Sequence, residues 1–262
     1  MLLDIEILLR LSTFAGIFLL MALLEVFLPR RQLRFSRLLR WPNNLSVTLI
    51  NTLLVRLFFP LAAVQFALQR ESSTSGLLSF LKSDSLLSIC IAIILLDLAI
   101  YTQHIIFHRI PVLWRIHRMH HTDNDLDVTT GTRFHPVEML LSMLIKLMVI
   151  TIIGAPATAV LLFELILSSA ALFNHANFAL PAFLDRIMRL LIVTPDMHRV
   201  HHSILTDEMN SNYGFNLSIW DRIFRTYKAE PVQGQMNMTL GLATTQTAAA
   251  QRINKMLMEP LK

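Results

Sequence analysis

Two short stretches of the chain say nearly the same thing: HRMHHT at 117–122 and HRVHHS at 198–203. Each sets histidines at i, i+3 and i+4, and HIIFH at 104–108 adds a pair four residues apart. On a helix such spacings project from one face, so each stretch presents at least two imidazoles together. With His175, nine of the ten histidines join the pattern: His104, His108, His117, His120, His121, His175, His198, His201 and His202. Imidazole is a borderline ligand suited to zinc, copper, iron and nickel. A structural zinc takes four ligands and a catalytic zinc three, so nine donors are too many for one ion and imply two metals. Two ions with mostly neutral ligands and an open position each suit the activation of O2. A pH switch also uses histidine clusters but does not need this spacing. The duplicated cluster therefore reads as one ligand set from each half of a two-metal site.

The elements that must position these side chains are apolar. Of 262 residues 54% are hydrophobic and only 16% charged, with a mean hydropathy of +0.53. A soluble domain of this size carries more charge on its wetted surface, so the composition indicates an integral membrane protein. The single cysteine, Cys90, excludes a disulfide framework and a CxxC motif. A net charge of +5 marks the cytoplasmic side of a membrane protein better than it marks a nucleic-acid binder. The N-terminus, MLLDIEILLR, has acids where a cleaved leader needs bases, so it reads as a retained membrane helix.

Apolar runs at 7–28, 45–68 and 86–107 are each long enough to cross a hydrocarbon core of ~30 Å. Between the first two lies RRQLRFSRLLR, with Arg30, Arg31, Arg34, Arg37 and Arg40 and no acid, which places that loop in the cytoplasm. His104 and His108 then emerge at the cytoplasmic face, and the loop 69–84 (Arg70, Glu71, Lys82, Asp84), without net charge, lies outside. Runs at 137–153 and 157–173 flank GAP at 154–156 and read as a helical hairpin that dips into or crosses the membrane. The expected fold is all-α: a membrane bundle of about three spanning helices plus the hairpin, with a histidine-rich cytoplasmic cap from 177 onward. Its divisions are N-terminal helices at 1–92, a catalytic region at 93–229 and a tail at 230–262. Charges within membrane helices are costly and tend to pair, so Lys146–Glu164 and Arg56–Asp97 are expected ion pairs.

At the histidines the sequence resembles the fatty acid hydroxylase/sterol desaturase superfamily of membrane di-iron enzymes. The resemblance runs over about 93–228 and rests on DLAIYTQHIIFHRIPVLWRIHRMHHTDNDLDVTTGTRFHPVE (97–138), NHAN (174–177) and TPDMHRVHHSILTDEMNSNYGFNLSIWDRIFRTY (194–227). The bacterial sterol-desaturase-like branch and the alkylglycerol monooxygenases are the most similar. The resemblance implies two iron ions held by the nine histidines named above, replaceable by zinc in purified protein. It implies O2-dependent hydroxylation or desaturation of a fatty-acyl, sterol-like or alkyl-ether chain drawn from the bilayer. The electron donor must be a separate protein of reductase, ferredoxin or cytochrome b5 type. Two departures stand out: Ile105 replaces the arginine of the usual His-Arg-x-x-His, and Arg225 stands where many relatives have a glycine, which bears on a local turn. His135, followed by a proline, suits a helix cap or a hydrogen-bond partner of a ligand, and Asn174, Asp196, Asn212 and Tyr213 are candidates for the same supporting role. No particular role falls to Asp123, Asp125 or Asp127. The rival readings are a zinc hydrolase, weakened by the lack of HExxH, and a metal-binding or transport protein, whose ligands would lie near the bilayer midplane. A bacterial inner membrane with a cytoplasmic active site is the expected setting.

Overall fold

Caps and prolines in the sequence mark where the helices begin. In the computed structural model, which describes residues 2–70, 76–81 and 85–262, these are α1 (Leu2–Phe27), α2 (Arg37–Phe58), α3 (Ala63–Arg70), α4 (Leu86–Arg109), α5 (Pro111–His121), α6 (Pro136–Ile153) and α7 (Ala157–Asn174). The shorter α8 (Ala182–Met188), α9 (Pro195–His201), α10 (Thr206–Met209) and α11 (Ile219–Ile223) follow. Proline holds the first position of α5, α6 and α9, where its missing N–H costs nothing. The side chains of Ser36, Ser85 and Thr194 accept backbone N–H groups at the starts of α2, α4 and α9. Among the described residues there is no β-strand, only isolated bridges such as Pro29–Phe178.

Among the described residues, five helical stretches are long and apolar enough to cross a membrane: Ile5–Phe27, Arg37–Arg70, Leu86–Arg109, Pro136–Ile153 and Ala157–Asn174. The chain is an integral membrane helical bundle. The second stretch departs from the expected continuous helix at 45–68. It starts earlier, at Arg37, and breaks between α2 and α3. Pro60 bars a regular helix through this point, and Phe59 before it has left helical geometry at φ −125°, ψ 78°. Two of the loop arginines therefore belong to a helix, and Arg40 is fully buried. The expected outer loop falls partly outside the described residues, Glu71, Lys82 and Asp84 among them.

The hairpin forms as the sequence suggests. Gly154 ends α6 in the left-handed region (φ 66°), a conformation glycine adopts without penalty, and Pro156 caps α7. Leu77 and Leu78 donate their N–H groups to Ile152 and Ile153 at 3.0 and 2.9 Å. Gly76 comes so near that a Cβ there would lie 2.6 Å from the Gly154 backbone. At this end α3, α4, α6 and α7 share one core, in which Ala63, Ala92, Ala157 and Ala159 let the helices approach and Leu96 and Phe163 fill the space.

Lys146 and Glu164 pair as expected, at 2.5 Å, and Arg10 of α1 joins Glu164 from the other side. The Arg56–Asp97 pair does not form. Asp97 accepts the indole N–H of Trp220 at 2.8 Å and the backbone N–H of Leu217 at 3.2 Å. Two donors from the cap thus replace the expected cation, and Arg56 faces a cavity instead. The boundary expected at 92/93 falls inside α4. Residues 230–262 lie against the cap: Gln251 accepts from Arg133 at 2.9 Å and donates to the Thr122 carbonyl at 3.1 Å.

Candidate metal centre

Four stretches bring the nine histidines to one end of the bundle. The last turns of α4 carry His104 and His108, and α5, entered at Pro111 directly after α4, carries His117, His120 and His121. His175 is the C-cap of α7, while α9 supplies His198 and His201 and is capped by His202. The repeated i, i+3, i+4 spacing turns α5 and α9 toward each other: the His121 ring lies 4.7 Å from His201 and 4.6 Å from His202, centroid to centroid.

The rings form two adjacent groups. His104, His108, His117, His121 and His201 offer one set, and His120, His175, His198 and His202 the other; within each, one nitrogen per residue lies within 4.8 Å of all the others. Sequence reasoning expected all nine at a shared site, and the structure brings all nine together.

Which nitrogen points inward is set by what the other one does. The Nδ1–H groups of His104, His175 and His201 donate to the carbonyls of Tyr213, Ala171 and Ser211, each at 2.8 Å. His120 donates likewise to Arg133 at 3.2 Å, and His117 donates to the Glu138 carboxylate at 2.7 Å. A carbonyl only accepts, so in these rings the hydrogen sits on Nδ1 and Nε2 presents a lone pair. The Nε2 atoms of His120 and His175 then face each other at 3.1 Å, and that of His198 lies 3.2 Å from His175. Two lone pairs at hydrogen-bond distance repel unless a cation lies between them. Ten further ring nitrogens in the two groups are buried without a hydrogen-bond partner among the described residues. Native interiors rarely leave buried polar atoms unsatisfied, and a divalent cation in each group would engage one nitrogen of every ring.

The electrostatics agree with ligation. Burial, reinforced by the neighbouring imidazoles, holds His120, His121, His198 and His202 well below the usual histidine pKa. Burial also lowers His175 to about 4 and His201 to about 3, against the opposing hydrogen bonds from their Nδ1 groups. These six rings are therefore neutral at pH 7, the form that binds metal.

The expected supporting residues fall in varied places. Tyr213 packs its ring on His104, His108 and His201, and its carbonyl orients His104. Asn174 donates to the Phe215 carbonyl at 2.9 Å, and the Phe215 ring lies beside His104, His175 and His198. Asn212, at φ 50°, ties Met197 to Lys228 through its amide and so fixes the end of α9. His135 caps α6: its Nδ1 accepts from Val137 at 3.2 Å and its Nε2–H donates to Leu257 at 3.3 Å, and it belongs to neither group. Asp196 binds Arg30 and Arg199 and no histidine ring among the described residues. Asp123 and Asp127 clasp the buried Arg40. Burial alone would raise the Asp123 pKa, but the Arg40 and Arg133 guanidiniums outweigh it and hold it below the ordinary range.

One residue at the site escaped the sequence reading. Glu138 stands three positions after the cap His135, a spacing a capping-box glutamate shares, so nothing local marks it as the partner of His117.

A cavity of about 730 Å³ leads away from the histidines between α1, α2, α6 and α7. His104, His117 and His120 form its inner wall, and Ile100, Phe107 and Leu167 are among its apolar lining. The volume is typical of pockets that enclose a ligand of a few hundred daltons, about 300–1,000 Å³.

Fold and site together define a polytopic membrane protein with two adjacent poly-histidine groups, each able to hold a metal ion, at one end of a cavity. The fatty acid hydroxylase family profile matches residues 89–226, more than half of the chain, and the chain belongs to that family. It is 29% identical over 143 residues to the ornithine lipid hydroxylase OlsE of Rhizobium tropici, covering 55% of this chain and 42% of that protein. It is 29% identical over 139 residues to the alkylglycerol monooxygenase of Homo sapiens, covering 51% of this chain and 29% of that one. Cholesterol 25-hydroxylase of Homo sapiens is 23% identical over 150 residues, 55% of this chain and 52% of its own length. The aligned part is thus about half or less of each of these relatives. No solved structure matches the chain.

Proposed function

We propose that the chain is a membrane lipid hydroxylase whose two histidine groups hold a pair of iron ions and use O2. The observation that carries this reading is the set of inward Nε2 lone pairs, above all those of His120 and His175, which face each other at 3.1 Å. Iron in such a centre supplies the activation of O2 and the attack on an unactivated C–H bond. The protein's part is to bind, orient and exclude water. The carbonyls of Tyr213, Arg133, Ala171 and Ser211, with Glu138, lock five imidazoles in the ligating tautomer. His104, His117 and His120 belong to the metal groups and also line the cavity, so a chain lying there has its carbons beside the centre. The apolar walls keep water from the reacting carbon. Electrons come from a separate donor of reductase, ferredoxin or cytochrome b5 type. The activities named for the relatives, lipid hydroxylase and alkylglycerol monooxygenase, support a lipid substrate. The arginines that precede the bundle's second stretch support a cytoplasmic centre in a bacterial inner membrane.

The test combines metal analysis with lipid mass spectrometry. Anaerobically purified protein should hold about two irons per chain, and cells with the chain should show lipids heavier by one oxygen atom, or lighter by two hydrogens if the reaction is desaturation. The double variant His120→Ala/His201→Ala should lose both signals. A single tightly bound zinc with unaltered lipids would favour a hydrolase and sink the proposal.

A further inference from the structure

The end of the cavity remote from the histidines is charged, which a channel for a plain hydrocarbon does not need. Glu6, Arg10, Arg56, Lys146 and Glu164 all line it. Four of them balance: Arg10 donates to Glu6 at 2.8 Å and to Glu164, and Lys146 donates to Glu164. Arg56 is the third cation against two carboxylates and has no ion-pair partner among the described residues. It lies within a membrane-spanning stretch, where an unpaired charge is costly and tends to mark a binding site.

The distance to the histidines follows from helix geometry. Asn51 donates to the Phe134 carbonyl at 2.8 Å, and the Phe134 ring stacks on His120 at 4.5 Å, so Asn51 marks the level of the metal groups. Arg56 is five residues further along α2, and Lys146 is eight residues beyond Glu138 along α6, which sets the charged end roughly 8–12 Å from that level. A ligand filling the cavity therefore has an apolar segment against Ile100, Phe107 and Leu167 and a polar group at Arg56.

We propose that this end is a binding site for the anionic group, a carboxylate or phosphate, of an amphiphilic substrate, with Arg56 as its counter-ion. A guanidinium presents paired donors to such a group. The assignment deepens the lipid-hydroxylase reading by naming a substrate class, and it is tested by binding alone.

The assay is photo-crosslinking of a diazirine-bearing dodecanoate to the full chain in zwitterionic nanodiscs, read as labelled cavity peptides and competed with unlabelled compounds. Dodecanoate and dodecyl phosphate should protect at concentrations at least about ten-fold below dodecan-1-ol, a difference of about 1.4 kcal/mol. Arg56→Gln should erase that preference and Arg56→Lys retain part of it, with unchanged metal content reporting that both variants fold. Equal protection by the acid and the alcohol, or a preference that survives Arg56→Gln, would overturn the assignment. Protection by inorganic phosphate as strong as by dodecyl phosphate would overturn it too, leaving a site for small anions. A preference for the acid in protein that proves to bind no iron would keep this site while removing the hydroxylase reading.

Discussion

Glu138 offers the sharpest test of how the metal centre is built. The residue is 3% exposed, and its carboxylate accepts the Nδ1–H of His117 at 2.7 Å. That bond turns the His117 Nε2 lone pair toward His104, His108, His121 and His201. Glu138→Ala deletes the acceptor, so the ring loses both its tautomer preference and its tether. A hydrogen bond to a charged group contributes about 1.5–3 kcal/mol, and loss of a partner behind a metal-binding histidine typically weakens metal binding by about 10–100-fold. The two figures agree, since 10–100-fold is about 1.4–2.7 kcal/mol. The effect should be confined to one metal. Glu138 bonds no member of the group formed by His120, His175, His198 and His202, whose orienting acceptors are elsewhere. Zinc titration against a chromophoric chelator should therefore show two affinities, with only one weakened in Glu138→Ala. Glu138→Gln keeps an acceptor oxygen and should sit near the lower bound. If Glu138→Ala leaves both affinities within about two-fold of the parent, or weakens them equally, the assignment of His117 to the five-histidine group is wrong.

Two further perturbations probe the frame around the centre. Arg40→Met strands Asp123 and Asp127 in a fully buried position and should destabilise the cap by about 3–5 kcal/mol; equilibrium unfolding in detergent would measure this, and adding Asp123→Asn and Asp127→Asn should recover most of it. Arg225 is held in the left-handed region at φ 59°, where an L side chain costs about 1–2 kcal/mol. Arg225→Gly should raise stability by about 0.5–1 kcal/mol after the extra freedom of the unfolded glycine is set against that relief, and a lower unfolding midpoint would contradict it.

The parts of this molecule that were legible beforehand are those written at short range. His117, His120 and His121 share a helix face because of their spacing alone, and Gly154 with Pro156 dictates a hairpin whatever surrounds it. Lys146 and Glu164 could be matched because an antiparallel hairpin fixes which residues share a depth. Arg56 and Asp97 sit on α2 and α4, elements not joined by a tight turn, and the same reasoning about depth failed for them. What decided Asp97 was the indole of Trp220, more than a hundred positions later, which no local pattern announces. Arg40 was misread for a related reason. A run of arginines between apolar segments looks like a solvated loop, and only the fold reveals that one of them is the counter-ion of two aspartates from the segment after α5. The orienting acceptors of His104, His120, His175 and His201 are backbone carbonyls, which carry no side-chain identity to read.

That reliance on carbonyls has a consequence for the centre itself. Five of the nine rings have an identified acceptor at Nδ1, and only one of those acceptors is a charged side chain. Before any metal binds, the site is thus close to neutral, which a buried position beside an apolar cavity can tolerate far better than a nest of carboxylates. The positive charge of two divalent ions, if the site binds them as proposed, would enter a pocket with little compensating anion, and their affinity would come from the number and rigidity of the nitrogen donors. Rigidity is supplied where the chain is least free: the ends of α4 and α7, already packed in the bundle, and the proline-started helices α5 and α9. Because His117, His121 and His201 share one group while His120, His198 and His202 share the other, each ion would tie α5 to α9. On the two-metal reading, metal loading and the docking of the cap would be a single equilibrium: loosening α9 should release both ions together, whereas loosening the single contact at Glu138 should release one.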